Sequence, residues 1–378
     1  MRSEIVVIGG GIIGCAAAAV LADRGARVTL VERTEIAAGA SGRNLGAIQH
    51  PFDAALAPLH RESLSRYRAL ADATGDFEFG RDPAGLLLLN RDADAAMAQA
   101  KRQQDAVPEL APEYLSPDDV VRAEPSLRHG PAAVRLATGF PVPPASVTHA
   151  WARIAEERGA TILIGSAARP VIESRTAVGS LLDDGTRLSA DAVLVAAGPW
   201  SPRLVDPSGG WAPIRATWGV TLQLRLDGSA PRHIVEEDEL DAINRAAAAT
   251  ARAAAGVEGE PPSLFSIASA NGISTLGSTF LPEEPDPSLV APLLLRRAAE
   301  FLPAVEGAEV VERRLCARPQ SSDGRPFIGP FPGVEALFVC AGHGPWGIST
   351  GPASAAIVAR AILDGTAPPA ALDAARAI

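Results

Sequence analysis

Three glycines at fixed spacing offer the first chemistry. Gly9, Gly11 and Gly14 in the run Gly9-Gly10-Gly11-Ile12-Ile13-Gly14 satisfy GxGxxG, a pattern whose main chain can meet a pyrophosphate. Gly9 permits the tight turn, Gly11 lets the backbone approach the phosphates, and Gly14 lets a helix pack closely on a strand. Ile12 and Ile13 open that helix, whose amino terminus offers free N–H groups and a positive dipole end. Glu32 stands 18 residues after Gly14, where a carboxylate can take both ribose hydroxyls. Its charge disfavours a 2′-phosphate, with Arg33 beside it as the counterweight.

The elements that must position these residues are legible around them. Glu4 to Ile8 (EIVVI) reads as a buried strand, Cys15 to Arg24 (CAAAAVLADR) as a helix closed by Gly25, and Arg27 to Val31 as a second strand ending at Glu32. The fingerprint therefore has its strand before, its helix after and its acid at the expected distance. The stretch Ala37-Ala38-Gly39-Ala40-Ser41-Gly42-Arg43-Asn44 is small, Gly-rich and polar. Such a loop can run along an extended dinucleotide, which favours FAD over NAD, since NAD-dependent dehydrogenases usually enter another helix there.

Composition excludes several classes. The chain has 378 residues, 47% hydrophobic and 21% charged, enough for two interwoven domains with real cores. A net charge of −10 argues against nucleic acid or an anionic membrane as the partner. Cys15, Cys316 and Cys340 are singletons, and the six histidines are scattered, so neither a disulfide scaffold nor a metal site is expected. No stretch reaches the roughly 20 apolar residues of a membrane span, and the amino terminus does not resemble a signal peptide. The expectation is a cytoplasmic protein. Arginine supplies 33 of the 34 basic residues, and Lys101 is the only lysine. Schiff-base or lysine-base chemistry is thus closed unless Lys101 serves.

Further motifs follow in order. Pro143-Pro144-Ala145-Ser146 opens the helix THAWARIAEERGA, and the strand TILIG comes next. VLVAAGPWS occupies 193–201, RPQSSDGRPFIGPFP occupies 318–332, and FVCAGHGPWGIS occupies 338–349. Taken together with the fingerprint and GASGRN, these segments resemble the D-amino acid oxidase (DAO) superfamily of FAD enzymes, in the group with glycine oxidase, sarcosine oxidase and D-amino acid dehydrogenases. The resemblance implies an α/β FAD-binding Rossmann-like domain of the glutathione-reductase type, with a second α+β substrate domain built on an antiparallel sheet. The FAD-binding domain would take 1–50, 144–206 and 318–378, and the substrate domain 51–143 and 207–317.

Local signals agree. Pro51 to Thr74 reads as helical, Gly85 to Asn90 as a strand, 92–106 as a helix, and Ser116 caps a short helix. Residues 171–195 read as short strands with a turn at Asp183-Asp184-Gly185, and 213–226 as an alternating strand. The Ala-rich segment 240–257 reads as an exposed helical insertion, with an active-site lid or an oligomer contact as the alternative. A last helix is expected from near Gly351-Pro352, just after the GHGPWGIS turn.

The same resemblance distributes roles. Besides the fingerprint residues, Ala40, Ser41, Gly42, Arg43 and Asn44 would hold FAD, as would Ala197, Gly198 and Trp200. Gly342, Gly344, Gly347 and Ile348 would pass beside the flavin ring. The reaction implied is oxidation of a C–N bond by hydride transfer to flavin N5, giving an imine that hydrolyses. Arg318 is the expected anchor for a substrate carboxylate, because a guanidinium binds one bidentately. The turn His343-Gly344-Pro345-Trp346-Gly347 lacks the family's second carboxylate-binding cation, so Trp346 and His343 would line the pocket, with His50 and Gln49 facing substrate. Cys316 stands seven residues before Asp323, the spacing of a covalent flavin link in the sarcosine-oxidase branch, but CARP resembles the non-covalent members. The partners expected are a small amine or amino acid and O₂ or another electron acceptor. Two alternatives stay open: a tailoring oxidase of secondary metabolism acting on a larger amine, and an FAD-holding subunit of a multi-subunit dehydrogenase.

Overall fold

The computed structural model describes residues 2–75, 77–238 and 263–377. Glu4–Ile8 lies inside a six-stranded sheet, ordered Phe327–Pro330, Leu337–Ala341, Ala192–Val195, Glu4–Ile8, Arg27–Glu32, Thr161–Ile164. All neighbours run parallel except the edge strand Phe327–Pro330. A parallel sheet covered on both faces needs nearly continuous apolar strands, and EIVVI supplies one. Ile5 and Val7 join the core beneath the helices. Val6 and Ile8 point the other way, to a second core with Val193 and Val195. Helix Ile12–Asp23 is faced with alanine: Ala16 to Ala19 are fully buried. That small surface lets helices Ser146–Glu157 and Gly347–Asp364 close on it.

A second, eight-stranded sheet takes most of its strands from the two long insertions. Its order is Glu309–Ser321, Ile214–Arg225, Ile273–Thr279, Ser263–Ala270, Ile234–Glu237, Leu86–Asn90, Ala132–Leu136, Glu113–Leu115. The sheet is mixed rather than purely antiparallel: Ile234–Glu237 pairs parallel with Leu86–Asn90. That joint is where the two insertions meet, and strands so far apart in the chain need no hairpin between them. The boundary expected at residue 318 falls inside Glu309–Ser321, which pairs with Ile214–Arg225 as far as Ser321. The turn at 183–185 closes a hairpin of Thr176–Leu182 with Arg187–Ser189, while Ala192–Val195 leaves it for the main sheet.

Helix starts follow their caps. Asp92 accepts the N–H groups of Asp94 and Ala95 to open Ala93–Ala106, and Ser116 with Asp119 forms a capping box on Pro117–Ala123. The helix expected from Pro51 begins later, at Ala57. The last helix begins earlier than expected, at Gly347, which leaves Pro352 inside it. Proline has no N–H for the carbonyl four residues back, here that of Ile348. The Tyr67 hydroxyl donates to that carbonyl instead, and Ala353 N–H turns to Ser63 Oγ at 3.1 Å. Helix Ala57–Ala73 thus supplies the bonds that let a proline sit at this depth. The Ala-rich segment 240–257 lies outside the described residues. Among the described residues no helix is long and apolar enough to cross a membrane.

Candidate active site

A cavity of about 750 Å³ opens between the carboxyl ends of the six-stranded sheet and the face of the eight-stranded one. On the first side sits a cradle. Gly9 adopts φ +118°, and a Cβ there would come within 2.5 Å of the Ala196 carbonyl oxygen. A Cβ on Gly14 would lie 1.9 Å from the Gly9 oxygen, so the helix meets the turn with no room for a side chain. Gly14 therefore packs behind the cavity, while Gly9, Gly11, Ile12 and Ile13 line it. Glu32 closes the edge: Oε2 accepts Gly10 N–H at 2.7 Å, and Oε1 accepts the Thr34 N–H at 2.9 Å and hydroxyl at 3.1 Å. Ser41 Oγ accepts Ile12 N–H at 2.9 Å. The 37–44 loop thus caps the first helix from outside, and the hydroxyl keeps its own proton to donate.

The loop is itself held. Asn44 Nδ2 donates to the carbonyls of Ala40 and Ser41, and its Oδ1 accepts Gly46 N–H. Arg43 reaches the Leu315 carbonyl at 3.2 Å. In return Arg314 donates to the carbonyls of Gly42 (3.2 Å) and Asn44 (2.9 Å). Arg314 is buried, and burial pushes its guanidinium below the ordinary value. Gly42 is off the cavity wall, although Ala40, Ser41, Arg43 and Asn44 are on it. At the mouth, Ala197, Gly198 and Trp200 join Arg33, whose guanidinium stands 5.2 Å over the half-exposed Trp200 ring.

The opposite wall comes from the eight-stranded sheet and the 343–348 turn. Arg318 lines it. Its Nη1 donates to the Thr279 carbonyl at 2.9 Å, its Nη2 donates to Ser278 Oγ, and the group lies 4.8 Å from the Phe280 ring centroid. No carboxylate among the described residues pairs with it. His343 lines the same wall, buried, with Nε2 lacking any partner. Burial holds its imidazole down to about 3, so it is neutral at physiological pH. A buried nitrogen without a partner on a cavity wall calls for a polar group from the cavity's occupant. Gly344, Gly347 and Ile348 complete the turn on the wall.

Several expected residues stand elsewhere. His50 is buried off the cavity wall, its backbone N–H on Thr138 Oγ1 at 3.0 Å and its ring edge-on to His60. Gln49 is turned to the Glu236 carboxylate at 3.2 Å. Trp346 packs against the helical core, and Gly342 is likewise off the wall. Both Gln49 and His50 belong to a chain that passes behind the turn, where Gln49 N–H meets Ser349 Oγ. Conversely, Trp218, Pro345 and Cys316 line the cavity. Trp218 was not singled out by the sequence, and neither were Arg314, Ser278 and Thr279. Their roles depend on strand register, which carries no local signal.

The cradle fits a dinucleotide: a turn that no Cβ obstructs, a helix amino terminus beyond it, and a fixed carboxylate where a ribose lies. Comparison with known proteins agrees. Residues 4–361 match the family model described as DAO, FAD dependent oxidoreductase. The glycine oxidase of Pseudomonas aeruginosa is 29% identical over 95% of this chain and 94% of its own. The crystal structure of glycine oxidase from Bacillus cereus superposes with a TM-score of 0.82 at 23% identity, over 97% of this chain and 96% of that one. Iminodiacetate oxidase from Chelativorans gives 0.80 at 21% identity, with 98% of both chains covered. The family match runs from the first strand into the last helix and takes in both the cradle and its opposite wall: the chain belongs to the DAO family of FAD-dependent oxidoreductases.

Proposed function

We propose that this enzyme oxidises the C–N bond of a small amine or amino acid bearing a carboxylate, with Arg318 as the carboxylate anchor. One observation carries the reading: a guanidinium fixed on the cavity wall by a carbonyl, a hydroxyl and an aromatic ring, with no carboxylate of the described residues beside it. Two of its five N–H groups are engaged, and the rest suit a bidentate acid. FAD, when bound, supplies the acceptor for the hydride leaving the carbon next to nitrogen. The residues here orient and enclose. Arg318 fixes the acid end, Trp218 and Ile348 give the wall apolar surface, and His343 stays uncharged. Lys101 is exposed on helix Ala93–Ala106, so the reaction proceeds without a lysine at the flavin. The glycine oxidase relatives support a small substrate. A larger amine is the second reading, favoured by Pro345, an uncharged residue on the wall of the turn.

Anaerobic mixing with glycine, sarcosine, D- and L-amino acids and cyclic imino acids tests the proposal. At least one should bleach the flavin, and Arg318→Ala should raise its KM about 100-fold with FAD retained. An unchanged KM sinks the anchor, and failure of the whole panel favours the larger amine. FAD is held without a covalent bond in this reading, Cys316 being a buried thiol. Acid precipitation should therefore leave the flavin in the supernatant; yellow precipitate refutes this.

A further inference from the structure

Arg318 reaches its partners by crossing a strand. It stands on Glu309–Ser321, opposite Thr217 of Ile214–Arg225. Ser278 and Thr279, which hold its guanidinium, belong to Ile273–Thr279, on the far side of Ile214–Arg225. Neighbouring strands lie about 4.8 Å apart, so the side chain must lie flat over the middle strand. The residue beneath it is Gly219. A Cβ built there would meet Arg318 Nη1 at 2.2 Å and Cζ and Nη2 at 2.4 Å each. Trp218, adjacent in the strand, is fixed by two backbone bonds to Leu281, at 2.7 and 2.9 Å, so the strand is tied down at this point. What can yield to an added methyl is the far end of a flexible arginine.

We infer that Gly219 is a positioning residue: its missing side chain is the groove in which the Arg318 guanidinium lies, and a methyl there dislodges the anchor without disturbing the fold. The inference rests on the carboxylate-anchor reading above. It makes Gly219 a determinant of substrate affinity although it offers no group to substrate. Its φ lies outside the left-handed region, so alanine is conformationally acceptable in the strand and the effect is one of space.

The test uses the FAD-loaded protein and acetate as the carboxylate probe, titrated against the visible absorbance of the flavin. Arg318→Ala should weaken acetate at least about tenfold. Gly219→Ala should do the same, with the Kd for FAD within about twofold of wild type, and should add nothing in the Arg318→Ala background. Ser278→Ala, which removes one holder of the guanidinium, should weaken acetate by a smaller factor of about three. If Arg318→Ala matters and Gly219→Ala does not, the positioning role falls while the anchor stands. If Arg318→Ala itself leaves acetate unchanged, the anchor reading falls and takes the inference with it. A Gly219→Ala protein that loses FAD or adds loss in the Arg318→Ala background also overturns it, because the strand rather than the guanidinium would have given way.

Discussion

The two sides of the cavity are built by different means. On the cradle side, the fingerprint turn is shaped by bonds between residues close in the chain, Gly10 to Glu32 and Ile12 to Ser41, and only the loop after it is also held from the second sheet, by Arg314 on Gly42 and Asn44. On the opposite wall, Arg318 is fixed by Ser278 and Thr279, and Gln49 behind the turn meets Ser349, 300 residues away. The cradle is a local motif whose geometry follows from a strand, a turn and a helix. The wall exists only once eight strands have found their register. The contrast extends to how each side resists change. At Gly9 and Gly14 of the cradle an added Cβ would meet backbone atoms, whereas at Gly219 of the wall it would meet the tip of a long side chain.

The largest effect that separates the two is therefore expected in the cradle. In Gly14→Ala the new methyl would lie 1.9 Å from a carbonyl oxygen of the turn, which cannot move without shifting the strand and helix together. We expect a loss of about 3 kcal/mol, the upper end of overpacking costs, and purified protein largely free of flavin. The ratio of flavin to protein absorbance and the thermal midpoint measure both. Gly219→Ala adds the same methyl to the wall and should leave both readouts near wild type. If the two variants behave alike, the distinction between a backbone-packed cradle and a side-chain-packed wall is wrong.

The same distinction sets what could be read from the sequence. The cradle was legible almost to the residue because each glycine, the helix start and Glu32 have a role that spacing alone specifies. The α/β class of the first domain and a second domain on its own sheet follow from the family resemblance, while the strand order and the antiparallel edge Phe327–Pro330 carry no local signal. Ser41 is legible as an FAD-loop residue, but its bond to the Ile12 N–H is not, because nothing local marks a cap supplied 29 residues downstream. Arg314 was one arginine among 33; only the pairing of Glu309–Ser321 brings it under Gly42 and Asn44. The last helix starts at Gly347, five residues before the Pro352 that by itself marks a first turn. Its orphaned carbonyl partner is satisfied by Tyr67, from a helix almost 300 residues earlier in the chain. His50 followed the loop in sequence and so was expected at the substrate, yet the chain turns inward there and buries it against His60.

That inward turn gives the wall side a sensitivity that the cradle lacks. His50 and His60 pack edge to face with centroids 5.4 Å apart, and His343 lies in the turn beyond Gly342. Burial lowers all three, His60 to about 4 and His343 to about 3, with the neighbouring His50 charge adding to the effect at His60. The Ser349 backbone opposes it at His60, but by less. In the unfolded chain these imidazoles titrate near 6.5. Between that value and the lowered one the unfolded state binds more protons than the folded state, so stability is fully present above about pH 6.5 and is lost as pH falls. For His60 the loss is complete near pH 4, and for His343 near pH 3. We expect the thermal midpoint to decline through this window, and His60→Phe to make the decline between about pH 6.5 and pH 4 shallower. A slope unchanged in His60→Phe would mean that this ring already carries its proton in the folded protein. In that case the acid sensitivity would belong to carboxylates such as Glu124, whose bonds to His233 and Ser126 hold it below its ordinary value despite burial.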